Sequence, residues 1–438
     1  MREETVSIDR LAYGGAGFGR IDGKACFVPF AAPGDRARVR IRRETASYAE
    51  ADLIETLEPA SCRITAPCSV FGRCGGCHWQ HLAYETQCSA KDEIFGESLW
   101  RLARVGREKI LPPLVSDQPW GYRSRAQVKL YGRGHEFSLG FFAPSSHYVI
   151  DLKDGCPVVH PAINAALGEL RQTVEEFPER DRIPQLDLAA GEDGTVVMTV
   201  HYIGGRPEKA AEFWRTRHDR IPSITGICLQ QGRKSTLTPV SGDQRLSYRV
   251  PAAADIPVEM TLMFTGGSFS QVNYRQNRAL VRTALEWGNR AGCDRVLDLC
   301  CGIGNFTLPF SRHSREVIGL ETGEQSVADA RHNAGLNGIG TVRFEVLDGA
   351  AGLRRLVAAR ERFDLVILDP PRGGALEMTG LLAELGAPNV LYVSCDPQTL
   401  GRDLARLQKG GYRVVKSRVV DMFPQTYHIE SITLLERE

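Results

Sequence analysis

The sequence has no apolar stretch close to the roughly 20 residues that a membrane-spanning helix needs, which excludes a helical membrane protein. Its first residues, Met1-Arg2-Glu3-Glu4, lack the apolar core of a signal peptide, so we do not expect secretion. It contains no internal repeat and no low-complexity tract, which excludes a solenoid. The formal net charge is only +1, so any nucleic-acid surface must be local. We therefore expect a cytoplasmic protein without a membrane partner.

The chain has 438 residues, of which 42% are hydrophobic and 24% are charged. These values are ordinary for a globular protein and predict about two to four domains. Twelve cysteines are present. In a cytoplasmic protein they are best explained as reduced thiols, metal ligands and a nucleophile, because disulfides are rare in that compartment.

Residues 1–61 are predicted to form a small OB-like β-barrel of the kind that binds RNA, because glycines separate short apolar strands. Within it, arginines alternate with apolar residues over residues 36–42, which places all four on one strand face. These residues, called the arginine stripe below, are Arg36, Arg38, Arg40 and Arg42. The stripe is either an RNA contact or a solvated strand face.

Residues 62–90 and 118–258 are predicted to form a central α+β domain, separated by a helix expected around Lys91 to Val105. The second part begins Trp120-Gly121-Tyr122-Arg123-Ser124-Arg125, with Lys129 and Arg133 close behind. Basic residues interleaved with aromatics can hold single-stranded RNA by phosphate contact and stacking. An exposed edge strand explains the same pattern equally well.

Three cysteines form the pattern C-x5-C-x2-C, namely Cys68, Cys74 and Cys77. Gly75-Gly76 allows the tight backbone that lets two thiolates share one metal centre. Cys156 is the first candidate for a fourth ligand, because a proline follows it as in many ferredoxin runs, and Cys62 and Cys88 are its rivals. The wide gap and the remote fourth ligand favour a [4Fe–4S] cluster over structural zinc, which usually uses paired C-x2–4-C knuckles.

From residue 259 onward, strands and helices alternate as in a doubly wound parallel sheet, to which we also assign residues 91–117. The turn from Asp298 to Asn305 departs from the G-x-G-x-x-G motif, which weakens the case for a dinucleotide-binding site. It is close to the D-x-x-x-G-x-G turn of S-adenosylmethionine-dependent methyltransferases. Glu321 ends the next predicted strand, where a carboxylate can accept ribose hydroxyls. Asp348 ends the third strand and could accept the adenine amino group.

Two further predicted strands end in reactive side chains, Asp369 in Asp-Pro-Pro-Arg and Cys395 in Ser-Cys-Asp-Pro. An RNA amino-methyltransferase would carry an aromatic where Arg372 stands and has no use for a thiol. Methylation of a uracil ring does need a thiol, because thiolate addition at C6 makes C5 nucleophilic. A base must afterwards remove the C5 proton. Glu430 is the candidate base, and His428, on the same strand face, is the alternative.

The motifs Gln271-Val272-Asn273, Cys-Gly-Ile-Gly-Asn, Asp-Pro-Pro-Arg, Ser-Cys-Asp-Pro and His-Ile-Glu together resemble those of the bacterial RNA uracil-5-methyltransferase family. The resemblance covers essentially the whole chain. The barrel and the cysteine pattern are similar to those of the branch that acts on 23S rRNA, whose members have a TRAM domain, a [4Fe–4S] cluster and a Rossmann-like class I methyltransferase domain. The tRNA-acting branch typically lacks the cluster.

By position, the resemblance implies that Cys395 is the nucleophile and Glu430 the proton acceptor. It implies S-adenosylmethionine contacts at Gln271, Asn305, Glu321, Asp348 and Asp369, and cluster ligands at Cys68, Cys74, Cys77 and Cys156. Cys300 replaces an aromatic that commonly lines the cofactor pocket, where a backbone contact could remain. We expect a monomer that methylates 23S rRNA. A tRNA uracil-5-methyltransferase, an RNA amino-methyltransferase and a non-catalytic RNA-binding protein are the alternatives.

Overall fold

Four sheets organise the chain in a computed structural model, which describes residues 2–133, 136–232, 237–254, 259–288 and 293–438. They are a closed barrel, a seven-stranded sheet, a two-stranded hairpin and an eight-stranded sheet. None of the helices in these residues combines the length and the hydropathy that a bilayer crossing requires.

The alternating N-terminal sequence folds into a closed barrel of β1 (Glu3–Leu11), β2 (Gly17–Ile21), β3 (Lys24–Val28), β4 (Arg36–Glu44) and β5 (Tyr48–Glu58). Ala37 and Val39 point into its core, as the alternation predicts. Buried Asp35 accepts two hydrogen bonds from Arg63, the closer at 2.6 Å, and one from the backbone N–H of Ala60 at 2.9 Å. This ion pair fixes the barrel to the cysteine-rich segment that follows. The predicted barrel is confirmed.

The central sheet has the strand order β13-β12-β11-β10-β7-β8-β9. Its strands are β7 (Arg125–Arg133), β8 (Glu136–Phe142), β9 (Val149–Asp151), β10 (Gln185–Ala190), β11 (Val196–His201), β12 (Gly226–Gln230) and β13 (Leu237–Gly242), packed with helices α2 (Pro161–Glu175) and α3 (Pro207–Thr216). Because β7 pairs with both β8 and β10, the interpretation of this basic segment as an exposed edge strand is wrong.

Strands β14 (Arg245–Pro251) and β15 (Glu259–Thr265) form an antiparallel hairpin. Apolar residues of both strands, including Tyr248 and Phe264, share one core with the C-terminal sheet. The expected domain boundary between residues 258 and 259 therefore cuts through a hairpin, and a boundary before β14 fits the packing better. Periodicity identified the strands but does not reveal the sheet against which a strand packs.

The C-terminal sheet has the order β18-β17-β16-β19-β20-β22-β21-β6, and β16 to β20 are parallel. Its strands are β6 (Ile110–Leu114), β16 (Arg295–Leu299), β17 (Glu316–Glu321), β18 (Val342–Val346), β19 (Leu365–Leu368), β20 (Asn389–Ser394), β21 (Tyr412–Val420) and β22 (Glu430–Arg437). The strand order reverses between β16 and β19, the switch point at which open α/β sheets bind ligands. The predicted doubly wound fold is confirmed.

Helices cover both faces of this sheet. One face carries α4 (Tyr274–Gly288), α5 (Thr307–Ser311) and α6 (Glu324–Leu336), and the other carries α1 (Tyr84–Ala103), α7 (Gly349–Ala358), α8 (Met378–Leu385) and α9 (Pro397–Lys409). Helix α1 begins seven residues before its predicted start at Lys91. Its first turns bury polar side chains, Gln87 and Lys91, which hide the apolar period.

Candidate active site

A cavity of about 760 Å³ opens at the carboxyl ends of the parallel strands. Every residue predicted for catalysis or cofactor contact lines it: Gln271, Cys300, Asn305, Glu321, Asp348, Asp369, Cys395 and Glu430. They come from six strand ends or turns and from the loop before α4, so the fold brings together residues that are far apart in sequence.

The turn after β16 has the backbone that its glycines predict. Gly302 and Gly304 have φ angles of 55° and 94°, in the left-handed region that disfavours side chains. Cys300 also has a positive φ of 63°, although it is not a glycine. The Gly302 N–H donates to Glu321 at 3.1 Å, so the turn and the end of β17 hold one another.

The other cofactor candidates are anchored by short local contacts. Asp348 is the N-cap of α7 and accepts the N–H of Ala351 at 3.0 Å. The side-chain amide of Asn305 exchanges hydrogen bonds of 2.8 and 3.0 Å with Asn277 on α4. Sequence reasoning missed Asn277, and no local motif marks it, because the pair joins two elements that pack only in the folded protein.

Cys395 and Glu430 are neighbours because β20 and β22 pair antiparallel with Ser394 opposite Ser431. Each lies one residue from that pair, so the thiol and the carboxyl meet at the same end of the sheet. Burial raises the pKa of the Cys395 thiol to about 12, with Glu430 and then Asp369 adding to the rise and Arg372 opposing it. The thiol is therefore protonated at neutral pH in the free protein.

Two carboxyl groups beside the thiol have raised pKa values. Burial raises the pKa of Glu430 well above its ordinary value, with Asp369 adding to the rise. Burial raises the pKa of Asp369 to about 7. His428 behaves in the opposite way, because burial and then the charge of Arg372 lower its pKa to about 4 and leave the ring neutral.

Asp298, at the end of β16, was part of a recognised motif but not a predicted site residue. It is fully buried, accepts a hydrogen bond from Thr307 at 2.5 Å, and its other oxygen has no hydrogen-bond partner within the described residues. Burial raises its pKa to about 7. Its hydrogen bond with Thr307 joins β16 to the start of α5 across the Gly-rich turn.

A second cavity, of about 810 Å³, adjoins the first and is called the cysteine cavity below. Both cavities are lined by Val272, Arg372, Phe423 and His428. The four predicted cluster ligands Cys68, Cys74, Cys77 and Cys156 line the cysteine cavity, and all four are free thiols. The rivals lie elsewhere: Cys62 donates to the carbonyl of Pro33 at 3.5 Å, and Cys88 is buried on α1.

Burial in the cysteine cavity makes two of its thiols hard to ionise. It raises the pKa of Cys74 to about 11 and that of Cys77 to about 12, and Cys68 and Cys156 add to both rises. The N–H of Gly76 approaches the Cys74 sulfur at 3.4 Å. Among the described side chains, no group of three or more His, Cys, Asp or Glu is arranged to hold a metal ion.

The arginine stripe is not an unpaired cationic surface. Each member forms an ion pair with a carboxylate from a neighbouring strand of the barrel: Arg36 with Glu58, Arg38 with Glu55, Arg40 with Glu3 and Arg42 with Glu50. The carboxylate partners come from β1 and β5, and the choice between an RNA contact and a solvated strand face stays open. Exposed pairs contribute little stability, about 0–1 kcal/mol, but they do balance the charge.

The cationic residues of the central domain face the cysteine cavity instead. Arg123, Arg125 and Lys129 line it, and Lys129 lies 5.1 Å from the ring centre of Phe142. This combination of cations and an aromatic beside the catalytic cavity supports contact with RNA. The side chain of Arg133, the fourth predicted cation, lies outside the described residues.

Comparison with known proteins adds independent findings. The family model described as tRNA (uracil-5-)-methyltransferase matches residues 113–438, and the TRAM domain model matches residues 2–54. The 23S rRNA (uracil(1939)-C(5))-methyltransferase of Alkalilimnicola ehrlichii is 38% identical over 99% of this chain and 96% of its own. The protein of the same description from Thiobacillus denitrificans is 37% identical, over 99% of both chains.

Among solved structures, the tRNA (uracil-54, C5)-methyltransferase of Pyrococcus abyssi, in complex with S-adenosyl-L-homocysteine, matches with a TM-score of 0.72. The two sequences are 23% identical, and the match covers 99% of this chain and 100% of that chain. This likeness shows that the fold is shared along the whole length.

The raised pKa of Asp298 predicts a pH-dependent effect of Asp298→Asn. The protonated carboxyl contributes stability below the unfolded pKa of about 3.9, and this contribution is lost as the pH rises through about 7. Between about pH 4 and pH 8 the variant should therefore gain stability relative to wild type, on the order of 2–4 kcal/mol. Urea unfolding across this range measures the difference, with exposed Asp294→Asn as the control. A constant difference would contradict the assignment.

Proposed function

The chain belongs to the RNA (uracil-5-)-methyltransferase family, and from that premise we propose that it methylates C5 of a uridine in 23S rRNA, with S-adenosylmethionine as the methyl donor. The observation that carries the proposal is the juxtaposition of Cys395 and Glu430 in one cavity with the Gly-rich turn. The choice of 23S rRNA rests on two bacterial relatives of that description that match the chain over nearly its full length.

The residues of the catalytic cavity fit S-adenosylmethionine. Asp369 and Glu321 line the cavity and both raise the cost of ionising the buried Asp298, so a positively charged ligand in the cavity would stabilise these carboxylates. When bound, this cofactor supplies an electrophilic methyl group on a positively charged sulfur. We propose that the backbone of the turn at Cys300 and Asn305, together with Gln271, Glu321, Asp348 and Asp369, holds it, with Glu321 on the ribose and Asp348 on the adenine.

Cys395 begins the reaction on the uracil. Its thiol proton passes to Asp369, whose pKa of about 7 suits a proton acceptor at neutral pH. The sulfur then bonds to C6, and the electrons of the C5=C6 double bond move into an enolate. C5 becomes nucleophilic and takes the methyl group, which divides one difficult substitution into two easier steps.

Glu430 completes the reaction by removing the C5 proton. The electron pair of that C–H bond restores the C5=C6 double bond and expels the Cys395 sulfur, which recovers its proton from Asp369. Glu430 acts in this step as the ionised carboxylate, whose raised pKa makes it a stronger proton acceptor than an ordinary carboxylate, and the proton then passes to solvent. His428 is a poorer candidate, because a ring with a pKa of about 4 binds a proton weakly.

The alternatives lack a supporting observation of the same weight. The Cys395–Glu430 pair would have no role in an RNA amino-methyltransferase. Such an enzyme would also carry an aromatic residue at the position of Arg372. A non-catalytic RNA-binding protein would not need buried carboxylates with raised pKa values around a thiol. A tRNA uracil-5-methyltransferase shares the chemistry and is separated from the main proposal by the substrate alone.

We also propose that Cys68, Cys74, Cys77 and Cys156 hold a [4Fe–4S] cluster. The four cysteines line one cavity, and burial raises the pKa of Cys74, Cys77 and Cys156, so a cationic centre that binds them as thiolates would be stabilised there. The N–H of Gly76 directed at the Cys74 sulfur is the kind of contact that tunes such clusters. The cluster takes no part in the methyl transfer.

The substrate is tested with RNA from a strain in which this gene is deleted. The purified protein with S-adenosylmethionine should form 5-methyluridine in 23S rRNA, at the equivalent of uridine 1939 in the relatives' substrate, and none in tRNA. Nucleoside mass spectrometry with site mapping measures both. Methylation of tRNA alone would replace the rRNA proposal, and a methylated amino group would replace the uracil chemistry.

Glu430→Gln should stop the reaction after methylation, because the amide cannot remove the C5 proton. Turnover should fall by about 10²- to 10⁴-fold, while a covalent protein–RNA conjugate accumulates on denaturing gels. Cys395→Ala is the matched control, since it should form no conjugate and still bind the cofactor. Loss of activity in Glu430→Gln without a conjugate would move the base to His428.

Protein purified without oxygen should be brown and contain about four irons per chain. Cys156→Ala should lose iron and colour, whereas Cys62→Ala should keep both, because Cys62 lies outside the cysteine cavity. Metal analysis and visible absorption make the measurement. Stoichiometric zinc without iron would contradict the cluster.

A further inference from the structure

The turn between β1 and β2 of the barrel, residues 12–16, contacts the catalytic loops of the C-terminal sheet. The carbonyl of Gly15 accepts a hydrogen bond from the Trp79 indole at 2.9 Å. A Cβ on Gly15 would lie 2.7 Å from the ring of Tyr427, so only glycine fits there. The barrel therefore packs directly on the loop that leads to Glu430.

The same turn contacts the loop of the nucleophile through Tyr13. Its hydroxyl donates a hydrogen bond to Oδ2 of Asp396, the residue that follows Cys395. The other oxygen of Asp396 caps α9, accepting the N–H groups of Gln398 at 2.8 Å and Thr399 at 3.0 Å. Both oxygens of Asp396 are thus engaged, one by its own helix and one by the barrel.

We propose that Tyr13 is a positioning residue for Cys395, acting through Asp396, so that the barrel helps to set the orientation of the nucleophile. This inference rests on the proposed role of Cys395. Residue 395 is held between β20, which ends at Ser394, and the cap at Asp396. Holding Asp396 from the barrel side therefore restricts the backbone on which the thiol is carried, and small errors in the position of a reacting group are costly.

The hydroxyl, rather than the ring, carries this role. The ring of Tyr13 is 47% exposed and could also meet RNA, whereas the hydroxyl is already bonded within the protein. Tyr13→Phe removes only the hydroxyl and leaves the ring for stacking. The substitution therefore separates positioning of the thiol from a direct contact with RNA.

The test uses RNA with 5-fluorouridine at the target position, which traps the adduct because fluorine cannot leave as a proton. At saturating RNA and S-adenosylmethionine, Tyr13→Phe should form the conjugate about 3- to 10-fold more slowly than wild type, with unchanged RNA affinity. Tyr131→Phe is the matched control, since that tyrosine has a similar exposure of 42% on β7 and should change neither quantity.

A second variant checks that Tyr13 acts through Asp396. Asp396→Ser keeps a good helix cap but loses the carboxylate oxygen that Tyr13 contacts. The double variant Tyr13→Phe/Asp396→Ser should form the conjugate no more slowly than Asp396→Ser alone, because the two changes remove the same interaction. Additive losses would overturn the inference, as would an unchanged rate in Tyr13→Phe or a loss confined to RNA affinity. Absence of a wild-type conjugate would instead refute the proposed function.

Discussion

The buried ion pair between Lys91 and Asp421 is the contact on which the arrangement of both cavities depends. The Lys91 ammonium lies 2.5 Å from the Asp421 carboxylate and donates to the carbonyl of Phe423 at 2.9 Å. The hydroxyl of Tyr84 donates to the second oxygen of Asp421 at 2.6 Å. A buried charge that loses its partner costs about 3–5 kcal/mol, so α1 holds the start of this loop firmly. The residues that follow Asp421 therefore have fixed positions.

The loop from Asp421 to Ile429 also connects the cysteine-rich segment to the catalytic cavity. The carbonyl of Gln425 accepts the backbone N–H groups of His78 at 3.0 Å and Trp79 at 3.1 Å. Gln87 donates to the side chain of Gln425 at 3.0 Å. Because this loop lines both cavities, order in the segment after Cys77 supports the wall against which the uracil would lie. A cluster in that segment can thus matter for catalysis through structure alone.

Local patterns predicted the strand ends and the Gly-rich turn, because period, β-branched runs and glycines depend on neighbours in sequence. Contacts between residues that are far apart in sequence could not be predicted in this way. The ion-pair partners of the arginine stripe were not predicted, since Glu3 and Glu55 come beside it only when the barrel closes. The start of α1 was missed because Lys91 looks like a surface residue until Asp421 is opposite it. Local sequence patterns predict whether a segment is a helix, a strand or a turn, whereas tertiary packing determines the partner of each polar side chain.

Burial raises the proton affinity of both proposed catalytic groups. It keeps the Cys395 thiol protonated and hence unreactive in the free protein, since the thiolate is the nucleophile. The same burial makes Glu430 a strong proton acceptor. A neutral thiol resists oxidation and alkylation, because both reactions need the thiolate. A carboxyl with high proton affinity is most useful late in the reaction, when the C5 proton must leave. The same cavity therefore raises the proton affinity of both groups, the thiol that must lose a proton first and the carboxyl that must accept one last.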